Sequence, residues 1–158
     1  MRVRIEGERV ILRSVDSSDI DTILLWENSS DEPLYGVYEE QYTREDVVQF
    51  VKNQQRYSLA ENEQLRLMIC SHDGVRLGAL DLTEYDGRKA FVSILISDLS
   101  NRRKGFGNEA LQLLILYAKS LGMRSLYATI LPQNEQSLHL FERAGFENLG
   151  TSLYRKKL

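Results

Sequence analysis

Arg102-Arg103-Lys104-Gly105-Phe106-Gly107 lies between an apolar, strand-like run over 91–97 and a helix-like run over 108–121. Strand, glycine-bearing basic loop, helix: that order builds an anion pocket. Gly105 and Gly107 have no Cβ, so backbone can approach a ligand closely. The first N–H groups of a helix lack internal partners, and the helix dipole makes that end partly positive. A phosphate or pyrophosphate placed there satisfies both. Arg102, Arg103 and Lys104 add charge. A solvated basic turn leading into a core helix has the same composition, so the elements on either side must decide between the two.

Working outward, the helix over 107–121 carries Ala110, Leu111, Leu114, Ala118 and Leu121 as one apolar stripe, with Gly122 placed to end it. Upstream, strands over 65–71, 76–84 and 89–97 form a meander joined by the hairpin signals Asp73-Gly74 and Asp86-Gly87. A strand over 9–13 comes earlier. Asp16-Ser17-Ser18-Asp19 then supplies capping residues for a helix over 20–27 with Ile20, Ile23 and Leu24 on one side. Thr43 with Asp46 resembles a capping box and opens a helix that buries Val47, Val48, Phe50 and Val51. Residues 57–64 form a polar connection. Downstream come a buried strand over 125–131, a helix over 134–144 stopped by Gly145, and a final strand over 148–158. The pattern is a mixed α/β (α+β) domain over 1–158. Its central sheet is mostly antiparallel and is flanked by about four helices.

The chain has 158 residues, 42% apolar and 27% charged, with a net charge of −3. Such a chain buries about two-thirds of its surface without staples. The acidic balance argues against a nucleic-acid partner, and makes the basic loop a local device. Cys70, the single cysteine, lies in the apolar run 65–70 and is expected to be a buried, inert thiol in a reducing compartment. Arg2, Arg4 and Glu6 interrupt any early apolar run, so no secretory leader is expected. No stretch approaches a membrane span. A cytoplasmic location follows. His72 and His139 stand far apart, and no metal-ligand spacing is present.

A second constellation is Asn134-Glu135-Gln136-Ser137, followed by Leu138 through Phe141 and Ala144-Gly145-Phe146. Positions 134, 137, 138 and 141 share one helix face. With both motifs in hand, the chain resembles the GCN5-related N-acetyltransferase (GNAT) superfamily. Arg102-x-x-Gly105-x-Gly107 is similar to its acetyl-CoA signature, and Asn134-x-x-Ser137-x-x-x-Phe141-x-x-x-Gly145-Phe146 is similar to its later helix motif. The opening, with Leu12-Arg13 and Trp26-Glu27-Asn28, resembles the branch that holds spermidine and diamine acetyltransferases and ribosomal-protein N-terminal acetyltransferases.

The resemblance implies acetyl-CoA as co-substrate. The third meander strand would splay from its neighbour so that Ile94, Leu95 and Ile96 bind the pantetheine arm. The pyrophosphate would lie over Arg103, Lys104, Gly105, Phe106, Gly107 and Asn108, with Arg102 beside it, and Asn134 and Phe141 would contact the arm from the other side. The resemblance also implies direct transfer to an amine and assembly with copies of the same chain, although no residue demands that assembly.

Many relatives place a proton-donating tyrosine where this chain has Phe141, which has no hydroxyl. Ser137, one turn earlier, is a candidate donor; otherwise the step proceeds through water, or Tyr127 or Tyr85 reaches in. Asp81 stands between Leu80 and Leu82, where a carboxylate is costly unless paired or functional, and is the candidate base. Its other role is an ion pair with Arg66 or Arg76. Glu32, Tyr35 and Glu84 are candidates for holding a cationic acceptor such as a polyamine. The alternatives are a protein N-terminus as acceptor, or a cofactor-binding sensor with weak catalysis.

Overall fold

A computed structural model of the chain describes residues 2–29, 41–97 and 104–158. The elements run β1 (Arg4–Glu6), β2 (Val10–Ser14), a short 3-10 turn (Ser17–Asp19), α1 (Ile20–Asn28), α2 (Arg44–Arg56), α3 (Leu59–Asn62), β3 (Leu65–Ser71), β4 (Arg76–Thr83), β5 (Lys89–Ile96), α4 (Phe106–Ser120), β6 (Ser125–Thr129), α5 (Glu135–Arg143), β7 (Glu147–Gly150) and β8 (Leu153–Lys157). The eight strands form one sheet in the order β1-β2-β3-β4-β5-β6-β8-β7. Neighbours are antiparallel except β5 and β6, which run parallel through the α4 crossover.

Alternation along the strands divides the apolar residues between two faces. Leu12, Leu67, Ile69, Leu80, Leu82 and Val92 point to one side and pack with Leu111, Leu114 and Ala118 of α4 and Phe141 of α5. Met68, Cys70 and Ala79 point to the other and pack with Ile23 of α1 and Val47 and Val51 of α2. The Thr43–Asp46 capping box is present in both directions. Cys70 is 3% exposed, and burial pushes its thiol pKa up, so it is a core group and not a nucleophile.

Four expectations change. The polar connection over 57–64 contains α3, opened by a Ser58 capping box and closed by Glu63 in the left-handed region (φ 57°). The last strand is a hairpin, β7 and β8, turning at Thr151 and Ser152 with φ of 52° and 65°. Leu121 lies beyond the end of α4 and is 37% exposed, because the helix stops before the stripe completes another turn. Asp19 does not cap α1 with its side chain. It is fully buried and accepts bonds from Arg13 Nη1 (2.8 Å) and Nη2 (2.7 Å), Arg76 Nε (2.6 Å) and the Asp16 N–H (2.9 Å). Among the described residues no helix is long and apolar enough to cross a membrane.

Burial works against ionisation of Asp19, but the Arg13 and Arg76 bonds outweigh it and hold the carboxyl below its usual range. Asp19→Asn leaves two guanidinium groups without their shared counter-charge. It is predicted to cost about 3–5 kcal/mol in urea unfolding at neutral pH. A lowered folded-state pKa means that the contribution is complete above the unfolded carboxyl's pKa, about 3.9, and is lost as pH falls through the folded value. The gap between wild type and variant should therefore narrow only below about pH 4.

Candidate functional site

The N-terminus of α4 is built around Gly105. It is the N-cap residue, sits in the left-handed region (φ 84°) and makes no side-chain cap bond. A Cβ at Gly105 would stand 2.7 Å from Nη2 of Arg9, so both conformation and space call for glycine. Arg9, in the turn between β1 and β2, donates from Nη1 to the Lys104 carbonyl at 2.7 Å, and its guanidinium lies 5.0 Å over the Phe106 ring. Glu109, in the first turn of α4, accepts from the backbone N–H groups of Arg9 and Val10 at 2.8 Å each and from Arg9 Nε at 3.3 Å. Partial burial opposes ionisation of Glu109, but those bonds outweigh it and hold the carboxyl below its usual range.

Beside this turn the sheet opens. β5 pairs with β4 over six residues, from Thr83↔Phe91 to Gly78↔Ile96. It pairs with β6 only at Lys89↔Ser125, Ala90↔Leu126 and Phe91↔Tyr127. From Val92 onward the two parallel strands separate. Three elements meet at the opening. A Cβ at Gly107 would lie 3.6 Å from Ile94 of β5, 3.6 Å from Leu140 of α5 and 3.7 Å from Ile96. Asn134 caps α5, accepting the Ser137 N–H at 3.2 Å, and Ser137 is half-buried.

The opposite sheet face, under α1 and α2, holds a charged cluster. Both Asp81 oxygens accept from Arg66 at 2.8 Å, from Nε and Nη2. The third nitrogen, Nη1, meets Glu27 at 2.8 Å, and the guanidinium lies 4.9 Å over the Phe50 ring. Burial lowers the Arg66 pKa, but the bonds and charge of Asp81, with Glu27, outweigh it and hold the guanidinium charged. Asp81 pairs in register with Ser93 of β5, and Ser93 is exposed.

Of the expected cofactor residues, Ile94, Ile96, Gly105, Phe106 and Gly107 come together, with Asn108 in the next helical position. Lys104 and Leu95 are exposed at the margin, Leu95 on the sheet face opposite Ile94 and Ile96. Phe141 is 2% exposed and packs edge-on against Phe146 at 5.0 Å, so it is a core residue. Asp81 has both oxygens committed to Arg66, the ion pair that was its other expected role. Glu84 ends β4 in the left-handed region (φ 52°), exposed. Arg102, Arg103, Glu32 and Tyr35 lie outside the described residues. Arg9 and Glu109 join the site only through tertiary structure. Their partners are close to 100 residues away, and no local pattern marks them.

Residues 9–147 match the Acetyltransferase (GNAT) domain family. The chain is 21% identical over 144 residues to the uncharacterized protein MJ1062 of Methanocaldococcus jannaschii, covering 90% of this chain and 29% of that one. It spans well under half the length of the curated relatives it matches. Its fold is similar to that of spermidine N-acetyltransferase from Vibrio cholerae, solved with CoA and spermine (TM-score 0.77, 19% identity, 96% of this chain and 94% of that one). It is also similar to RimL, a ribosomal L7/L12 alpha-N-protein acetyltransferase solved with coenzyme A (TM-score 0.78, 17% identity, 99% and 98%).

The two loop glycines should respond differently to substitution. Gly105→Ala places an L residue at φ 84° against Arg9 and is predicted to cost about 1–2 kcal/mol. Gly107→Ala meets only ordinary contacts inside a helix and should change stability by less than about 1 kcal/mol in either direction. Urea unfolding of the two variants checks the contrast, and equal costs would count against a loop fixed at Gly105.

Proposed function

The chain belongs to the GNAT acetyltransferase family, and from that premise we propose that it moves an acetyl group from acetyl-CoA directly to a primary amine. The observation that carries the proposal is the parting of β5 from β6 after Phe91, with the glycine-built start of α4 packed against Ile94 and Ile96 at the opening. A strand edge suits an extended pantetheine arm, and the first N–H groups of α4 suit a pyrophosphate. Lys104 and Gly105 to Asn108 are assigned to the phosphates, with Arg102 and Arg103 preceding them. Ile94, Leu95 and Ile96 are assigned to the arm, with Asn134 across from them.

The acetyl thioester supplies an activated acyl group. The acceptor reaches it as the free amine, because an ammonium has no lone pair. Its nitrogen bonds the carbonyl carbon, the carbon–sulfur bond breaks, and the proton that the nitrogen loses balances the one that the thiolate gains. With Asp81 committed to Arg66, the amine proton goes to water. Ser137, on the face of α5 that also carries Phe141, is the hydroxyl assigned to the leaving thiolate. Holding both substrates together replaces a covalent enzyme intermediate.

The acceptor is a small cationic amine such as a polyamine. Glu27 and Asp81 share one guanidinium, so the cluster beside Ser93 has a net negative charge that favours a cation. Glu32, Tyr35 and Glu84 are assigned to the same acceptor. A protein N-terminus is the second candidate. It is favoured by the exposure of Ser93, Leu95 and Thr129 along the same sheet face, which leaves room for an extended chain.

Thiol release from acetyl-CoA, measured with spermidine, amino acids and short peptides as acceptors, tests the proposal. Saturable release with a polyamine is expected. Gly105→Asp, whose side chain would displace Arg9 and force φ 84° on an L residue, should distort the loop and lower kcat/KM at least about tenfold. Release with peptides alone would move the acceptor to a protein N-terminus. No release with any acceptor, together with no thermal stabilisation by acetyl-CoA, would overturn the activity.

A further inference from the structure

We propose that Arg9 is a positioning residue for the phosphate end of the co-substrate, acting through the peptide plane between Lys104 and Gly105. The inference rests on the acetyltransferase reading above and adds to it a residue outside both sequence motifs. Arg9 reaches the loop and the first turn of α4 from the β1–β2 turn, with three side-chain contacts and one steric constraint there. Nη1 holds the Lys104 carbonyl at 2.7 Å. Nε holds Glu109 at 3.3 Å. The plane of the guanidinium covers Phe106 at 5.0 Å. Nη2 occupies the space that a side chain at 105 would need.

Those contacts fix a direction. The Lys104–Gly105 peptide is trans, as every described peptide bond is. In a planar trans peptide the C=O and the N–H point in opposite directions. A guanidinium holding the Lys104 oxygen therefore turns the Gly105 N–H away from Arg9. Gly105, at φ 84°, has no side chain to restrain its own rotation; its carbonyl accepts the Glu109 N–H at 3.0 Å, on the far side of its Cα from the Lys104–Gly105 peptide plane. Without Arg9 the plane can turn over at small cost, since glycine tolerates both signs of φ. Arg9 thus sets in advance the orientation of the Gly105 amide within the anion-facing series, and spares the phosphate from ordering it on binding. With Nη1 and Nε both occupied, Arg9 acts on the loop and is not itself assigned as a phosphate ligand.

Calorimetric titration separates this role from general support of the fold, because pantetheine shares the arm of CoA and lacks its phosphates. Arg9→Met keeps an unbranched apolar stem and removes the charge and the donors. Its affinity for CoA should fall about tenfold, with affinity for pantetheine changed less than about twofold. Arg9→Lys keeps the charge and one donor but cannot hold the carbonyl and Glu109 with one planar group. It should also lose most of the CoA affinity, and it decides the matter alone if Arg9→Met does not fold. Equal losses for CoA and pantetheine would overturn the proposal in favour of a structural role. Full recovery in Arg9→Lys would overturn it in favour of direct charge. A wild-type chain that binds neither compound would overturn the acetyltransferase reading itself, and this proposal with it.

Discussion

The parallel contact between β5 and β6 is three residue pairs long, and the arrangement around it follows from that brevity. Each strand is committed more strongly to its other neighbour. β5 keeps six pairs with β4, β6 keeps five with β8, and the two commitments draw apart as the strands advance. At Gly78 the approach of β4 to β5 is so close that a Cβ would lie 1.9 Å from the Leu95 carbonyl oxygen. Glycine there lets β4 hold the far end of β5 tightly, so that the end does not drift back toward β6. Backbone groups left without a strand neighbour must be satisfied in some other way. On the proposed reading, an extended ligand takes the place of a missing strand at this opening.

α4 enters this opening at an angle set by charge as much as by packing. Its inner stripe of Ala110, Leu111, Leu114 and Ala118 is buried against the sheet, which fixes its axis. Its first turn is tied separately, through Glu109, to the backbone where β2 begins. A carboxylate near a helix N-terminus interacts favourably with the dipole. Here it also faces two backbone N–H groups of another element, so part of the positive end is already neutralised. On the far side of the sheet, likewise, Asp19 and Asp81 are both consumed by arginines.

The features legible in the sequence are those carried by short-range chemistry. Thr43 and Asp46 satisfy each other within one turn. Asp73-Gly74 closes a hairpin, and Gly122 and Gly145 supply positive φ where helices end. The two cofactor motifs were readable because each lies on one loop and one helix. What escaped depends on distance along the chain. Arg9 looks like the solvated first residue of a strand until the β1–β2 turn places it beside Lys104. Asp19 reads as a helix cap because its local neighbours are capping residues, yet Arg76, 57 positions on, makes it a buried ion. The β7–β8 turn is hard to read from sequence because Thr151 and Ser152 take positive φ without being glycine. A general-acid role cannot be read from Phe141, since a ring without a hydroxyl at that position marks only the core.

The buried thiol has a practical side. Cys70 is the chain's single cysteine, and the sheet, α1 and α2 enclose it. An aromatic disulfide reagent in solution therefore finds no accessible protein sulfur while the fold is intact. Colour that develops comes from sulfur liberated by turnover, with no subtraction for the protein. When the fold opens, the same reagent gains one equivalent of thiol per chain. One dye thus serves both as a reporter of catalysis and as a counter of unfolded molecules, and a cysteine introduced at any exposed position would be labelled alone.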